Sequence, residues 1–201
     1  MQEGFVDLQE AIPGLAAEVR YATPHNLTGH PLAGYRAGRA LATREAAEAL
    51  RRAFAHARKL GYGMLVYDAY RPQKAVDDFV AWSQLPEDGK TKAEFYPELE
   101  KTQLFPMGYI ARKSGHTRGS TIDLTLTDEK GVPLDMGSCF DRMSDISHHG
   151  VVGLTPVQEE RRAILRGIMA YAGFAPYENE WWHYRLMGEP YPDTCFDFDI
   201  I

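Results

Sequence analysis

The sequence predicts an α+β fold, with a mostly antiparallel central sheet that carries helices against one face. Two observations favour this class. Amphipathic segments with recognisable caps predict helices, and short apolar or alternating runs bounded by turn residues predict strands joined by hairpins. Glycine and proline are scattered along the chain, and no repeat or low-complexity tract interrupts it. We therefore expect residues 1–201 to form a single domain.

Three segments have the apolar spacing and the end signals of helices. Thr155-Pro156-Val157-Gln158 is a capping box with proline at the first helical position, and Arg71-Pro72 also places a proline where a helix would begin. The predicted helices run from a cap at Thr43 to about Leu60 before Gly61, from Arg71-Pro72 through about Trp82, and from Thr155 to Gly173.

Three segments read as strands: Met64–Tyr67, Ser120–Leu126 and Trp181–Leu186. The second alternates, with Ile122 on one face and Asp123 on the other, so we expect Asp123 to point away from the core. Residues 85–110 match no element, and we expect them to form a lid or a rim loop.

Composition excludes several classes of partner. The net charge is −6, and the short arginine pairs lie in amphipathic helical patterns, which argues against nucleic acid. No apolar stretch approaches the ~20 residues of a membrane span. We expect a small-molecule or peptide substrate, and the sequence carries no signal for an oligomeric state. Cys139 and Cys195 form no paired motif, which favours a reducing cytoplasm; a periplasmic protein whose leader had been trimmed is the alternative.

Two pairs of residues suggest a metal site. His116 precedes Asp123 by seven positions, and Glu180 precedes His183 by three. A carboxylate in an apolar strand is costly unless a cation meets it, and two imidazoles with one carboxylate can hold a catalytic zinc ion. We predict that His116, Asp123 and His183 bind one zinc ion, and that Glu180 takes a proton from water. For the first pair alone, a turn histidine and a salt-bridged carboxylate are an equally good interpretation.

Side-chain alternation constrains the second pair. In a regular strand Glu180 and His183 would point to opposite faces, so we expect Glu180 to lie in the turn before the strand. The alternative is that Trp181 and Trp182 are core aromatics and Glu180 is a surface charge. Arg71 follows a buried strand, where its guanidinium could stabilise an oxyanion or form a salt bridge to Asp68.

The chain resembles the zinc D-alanyl-D-alanine dipeptidases of the vancomycin-resistance type, within the larger group of D,D-carboxypeptidase-like zinc peptidases, which share a fold with hedgehog signalling domains. The resemblance covers essentially the whole chain and rests on Tyr21-Ala22-Thr23-Pro24, Tyr70-Arg71-Pro72, Ser114-Gly115-His116, Asp123-Leu124-Thr125-Leu126, Phe140-Asp141, Glu180-Trp181-Trp182-His183-Tyr184 and Glu189-Pro190-Tyr191-Pro192. It implies the same three zinc ligands, Glu180 as the catalytic acid and base, and Arg71 as the group that stabilises the transition state.

The same resemblance implies roles for three further residues. Asp141, with Tyr21, would receive the free ammonium of the substrate, and Ser114 would help to position the dipeptide. The implied activity is hydrolysis of D-Ala-D-Ala, linked to glycopeptide resistance or to recycling of cell-wall D-alanine. Two alternatives stay open: a D,D-carboxypeptidase or endopeptidase acting on peptidoglycan stem peptides, and a non-catalytic zinc-binding interaction domain.

Overall fold

The computed structural model describes residues 2–201 and confirms the α+β class. Its strands are β1 (Phe5–Asp7), β2 (Ala16–Ala17), β3 (Leu41–Thr43), β4 (Gly63–Asp68), β5 (Thr121–Thr127), β6 (Phe174–Tyr177) and β7 (Glu180–Leu186). Its α-helices are α1 (Leu8–Ala11), α2 (Arg44–Lys59), α3 (Gln73–Ser83), α4 (Lys92–Phe95) and α5 (Pro156–Tyr171).

The central sheet has five strands in the order β2-β4-β5-β7-β6. Only the β2–β4 pair is parallel among the described strands of this sheet; the other three pairs are antiparallel, as predicted. β1 and β3 form a separate antiparallel pair that the sequence did not predict.

The two long helices begin at the predicted caps. Thr43 Oγ1 accepts the Ala46 N–H at 3.3 Å, and Thr155 shares a reciprocal capping box with Gln158, with contacts of 3.3 and 2.9 Å. α2 and α5 pack against each other and against the sheet, so both cover the same face. α3 lies on the opposite side and contributes Val76 and Phe79 to a cavity there.

One expectation about the helices needs correction. Pro72 is the N-cap of α3, with φ −57° and ψ 148°, and the helix begins at Gln73. All seven residues of β5 are buried, because both faces of this strand are covered. Asp123 lies on the face opposite Ile122, where it lines a covered cavity. No helix in residues 2–201 combines the length and the apolar character needed to cross a membrane.

Candidate active site

His116, Asp123 and His183 meet on the cavity side of the central sheet. His116 lies in a 3₁₀ turn, Gly115–Arg118, just before β5, and β5 and β7 pair Asp123 directly with His183. His116 Nε2 is 3.2 Å from an Asp123 carboxylate oxygen, and His183 Nδ1 is 3.1 Å from the other. One ligand atom from each residue lies within 4.8 Å of the other two. The structure therefore brings together all three residues that the sequence nominated.

The donor atoms of this cluster suit a divalent cation. His116 Nδ1 lies 2.6 Å from the Ala69 carbonyl, a contact that assigns the ring proton to Nδ1 and leaves a lone pair on Nε2. Asp123 Oδ1 is buried, and His183 Nδ1, at 3.1 Å, is not aligned to donate a hydrogen bond to it. Burial would raise the pKa of Asp123, but His116 and His183 outweigh burial and lower it below its usual value. Two imidazole nitrogens and one carboxylate oxygen form a donor set that zinc accepts.

Glu180 lies beside this cluster, although not in the predicted turn. It is the first residue of β7, and its Oε2 is 3.4 Å from His183 Nδ1. Burial, partly offset by His183, raises the pKa of Glu180 to about 7. A carboxyl group with a pKa near neutrality can both accept and return a proton.

Arg71 forms the salt bridge to Asp68 that was one of the two interpretations considered for it. Its Nε and Nη2 contact Asp68 Oδ2 at 3.0 and 2.9 Å, and Nη2 lies 3.6 Å from Asp123. The guanidinium also stacks over the Tyr21 ring, 4.6 Å from its centroid. Its Nη1 forms no hydrogen bond to a described residue, although Arg71 lines the cavity. The salt bridge to Asp68 therefore holds the guanidinium in place and leaves both N–H donors of Nη1 without a partner among the described residues.

Tyr21 and Asp141 form a buried pair at the cavity wall. The Tyr21 hydroxyl lies 2.9 and 2.7 Å from the two Asp141 oxygens, and the Asp141 backbone adopts a left-handed conformation at φ 62°. Burial raises the pKa of Asp141 well above its usual value, although the Tyr21 hydrogen bond lowers it. Tyr21 lines the cavity, whereas Asp141 contacts the Tyr21 hydroxyl and is not part of the lining. Ser114 also lines the cavity, and its Oγ accepts the His116 N–H at 3.2 Å.

The cavity that these residues share is about 240 Å³. This is below the ~300–1,000 Å³ typical of small-molecule pockets, so it suits a very small ligand. Residues 108–111 line one wall, which places one end of the unassigned segment at the rim. Tyr109, Tyr177 and Lys113 also line the cavity, although the sequence did not predict them as site residues. No motif in the sequence singles out any of these three residues.

Comparison with known proteins identifies the family. The family model described as D-ala-D-ala dipeptidase matches residues 1–201. A D-alanyl-D-alanine dipeptidase of Enterococcus faecalis is 47% identical over 201 residues, covering all of both chains. A dipeptidase of the same name from Streptomyces coelicolor has the same identity and coverage. The Escherichia coli D-alanyl-D-alanine dipeptidase is 35% identical over 90% of this chain and 83% of its own.

Proposed function

The chain belongs to the D-ala-D-ala dipeptidase family, and we propose that it hydrolyses free D-Ala-D-Ala to two D-alanine molecules. The observation that carries this proposal is the convergence of His116, Asp123 and His183 in a small cavity, with Glu180 beside them. This arrangement provides a cation site next to a carboxylate that is free to move a proton, in a space suited to a dipeptide.

We assign one zinc ion per chain to His116, Asp123 and His183. When bound, zinc supplies Lewis acidity, which lowers the pKa of a water molecule and polarises a carbonyl group. The Ala69 carbonyl holds the His116 ring, so that its Nε2 faces the other two ligands. This contact fixes the orientation of the ligand before any metal arrives.

Glu180 acts as the base and then as the acid. Its carboxylate takes a proton from the attacking water and passes that proton to the leaving amine as the peptide C–N bond breaks. The free Nη1 of Arg71 donates to the carbonyl oxygen as negative charge develops there. Asp68 contributes indirectly, because its two contacts keep the guanidinium in position.

Tyr21 and Asp141 recognise the ammonium end of the substrate, and Ser114 helps to position the peptide. The Tyr21 hydroxyl donates to Asp141, which leaves its oxygen lone pairs available to accept from an ammonium group. Asp141 hydrogen-bonds to Tyr21 and forms no salt bridge with a described residue, so an ammonium group would supply the missing cation. An N-acylated peptide brings no such cation, so a site of this kind rejects it.

The test is release of D-alanine by zinc-loaded protein from D-Ala-D-Ala, with L-Ala-L-Ala and N-acetyl-D-Ala-D-Ala as parallel substrates. We expect turnover of the free D,D-dipeptide alone. Preference for the acetylated peptide would reassign the chain to peptidoglycan carboxypeptidase chemistry. Inactivity of zinc-loaded protein toward every D,D-peptide tried would favour the non-catalytic binding domain.

The role of Glu180 is tested with Glu180→Gln, which keeps the size of the side chain but cannot take a proton. We expect unchanged zinc content and a fall in kcat of roughly 10²–10⁴-fold, the usual contribution of general acid–base catalysis. Near-normal turnover by the zinc-loaded variant would remove Glu180 from the mechanism.

We also propose a cytoplasmic location. Cys139 and Cys195 are exposed free thiols, which persist in a reducing compartment. Cell fractionation with antibody detection tests this, and recovery of the protein in the periplasmic fraction would contradict it.

A further inference from the structure

The Asp68 carboxylate, which holds Arg71, has one oxygen that Arg71 does not contact. Asp68 Oδ2 accepts from Arg71 Nε at 3.0 Å and lies 2.9 Å from Nη2. Both contacts use the same oxygen. The terminal torsion of an aspartate has only a broad, roughly two-fold preference, so the carboxylate plane can turn unless Oδ1 is also held. The position of the guanidinium therefore depends on what contacts Oδ1.

Tyr35 provides the contact at Oδ1. Its hydroxyl donates to Asp68 Oδ1 at 2.7 Å, the usual length of an O–H···O hydrogen bond. Both side chains are buried, with 7% of Tyr35 and 0% of Asp68 exposed, so little water competes for this contact. Tyr35 thus holds one carboxylate oxygen while Arg71 contacts the other.

The backbone around Tyr35 is fixed by a segment from the far end of the chain. Tyr35 forms a parallel β-bridge with Ile200. The Ile200 N–H donates to the Gly34 carbonyl at 2.8 Å, and the Arg36 N–H donates to the Ile200 carbonyl at 2.9 Å. The Tyr35 ring also packs edge-on against Tyr21, with centroids 6.0 Å apart. Loss of the hydroxyl alone would leave all of these contacts in place.

We propose that Tyr35 is a positioning residue for Arg71 and acts through Asp68. Tyr35 does not line the cavity, whereas Arg71 does, so the hydroxyl affects the cavity through the carboxylate that both residues contact. His116 is outside this chain of contacts, because its Nδ1 is bonded to the Ala69 carbonyl at 2.6 Å and lies 3.6 Å from Asp68. Zinc binding should therefore not depend on Tyr35. The inference rests on the function proposed above, in which Arg71 stabilises the developing negative charge.

The kinetic test is Tyr35→Phe, which keeps the ring packing and should therefore fold. We expect kcat for D-Ala-D-Ala to fall roughly 5- to 20-fold, less than the roughly 10²–10³-fold cost of removing a transition-state donor outright. KM and zinc content should change little. In an Arg71→Met background the same substitution should lower kcat by less than about 2-fold, since the group that Tyr35 positions is absent.

Tyr96→Phe is the matched control. Tyr96 is also buried, and its hydroxyl also lies in hydrogen-bond contact with a carboxylate, Glu87 Oε1 at 3.2 Å, away from the cavity. Its kcat should equal that of wild type. An equal fall in kcat for Tyr35→Phe in both backgrounds would indicate a general structural effect and overturn the inference, as would an unchanged kcat in Tyr35→Phe.

A second measurement does not need turnover. Proton–nitrogen NMR would follow hydrogen exchange at Arg71 Nε–H, a signal assigned by its absence in Arg71→Met. Because Asp68 accepts from this N–H, we expect exchange at least about 10-fold faster in Tyr35→Phe than in wild type or Tyr96→Phe. That result in a protein that does not hydrolyse D-Ala-D-Ala would leave the inference standing and remove only the proposed function. Unchanged exchange would overturn the inference, whether or not the wild type is active.

Discussion

Replacing Tyr21 by phenylalanine isolates one hydrogen bond in the candidate site. The Tyr21 hydroxyl donates to Asp141 at 2.7 Å, and both side chains are buried, at 2% and 3% exposure. The ring also packs edge-on against Phe79 and lies under the Arg71 guanidinium. Tyr21→Phe keeps these ring contacts and removes only the donor.

The size of the effect follows from the charge on the acceptor. A hydrogen bond to a charged group contributes about 1.5–3 kcal/mol, which corresponds to roughly 10- to 100-fold in a binding constant. Burial already raises the pKa of Asp141, and the Tyr21 hydrogen bond opposes that rise. Without Tyr21 the carboxylate takes up a proton more readily, so it attracts the substrate ammonium less. We expect KM for D-Ala-D-Ala to rise roughly 10- to 100-fold, while kcat changes little.

Steady-state kinetics on the free dipeptide, together with urea unfolding, make the measurement. Tyr184→Phe is the control, since Tyr184 is fully buried and its hydroxyl has no hydrogen-bond partner among the described residues. It loses the same atom without losing a hydrogen bond, so its KM should not change. A Tyr21→Phe variant with normal stability and an unchanged KM would refute a role for the Tyr21–Asp141 pair in substrate binding.

Three further outcomes are expected. His149 is partly buried, and its pKa is lowered to about 4 by burial and then by Arg166, so the unfolded chain binds more protons below pH 6.5. Stability should therefore fall by about 1–2 kcal/mol between pH 6.5 and 4, after allowance for partial exposure, and urea unfolding of His149→Gln should show a weaker decline. Arg162→Met removes three hydrogen bonds of 2.7–3.0 Å to carbonyls of the segment 136–148, and we expect urea unfolding to show a loss of about 3 kcal/mol. Asp123→Asn should reduce the zinc content measured after dialysis from one ion per chain to a small fraction, and full retention would contradict its assignment as a ligand.

The long elements were predictable because each has several local signals that agree. α2 and α5 combine an amphipathic pattern with a side-chain cap, and β4 is a continuous apolar run between glycine and a charged turn. β1, β2 and β3 contain two or three residues each, too few to show any periodicity. Their formation depends on tertiary pairing, such as that of Ala16 and Ala17 with β4, which a local pattern does not contain.

The members of the candidate site were more predictable than the contacts that support them. Histidine and carboxylate side chains in apolar surroundings stand out because an unmatched charge there is costly. The acceptor that orients His116 is the main-chain carbonyl of Ala69, which has no distinctive side chain. Asp141 reaches Tyr21 across 120 residues of chain from a left-handed backbone conformation. The family resemblance associated these two residues, but no local pattern in the sequence predicts their contact or this conformation.

Glu180 shows why alternation along a strand can fail at a functional site. The alternation rule separates Glu180 from His183 in a regular strand, yet both belong to β7 and lie 3.4 Å apart. The pairing with β6 explains this: neighbouring residues Pro176 and Tyr177 pair with Tyr184 and Glu180, so residues 181–183 have no partner on β6. β6 is an edge strand, and Pro176 has no N–H to donate, which makes it a favourable position for such an irregularity. This stretch lacks a partner only on β6, since His183 pairs with Asp123 on β5, and it contains the buried residues Trp181 and Trp182. The short distance between Glu180, the proposed base, and His183, a proposed zinc ligand, thus depends on the register shift between β6 and β7. A regular strand would place the two side chains on opposite faces.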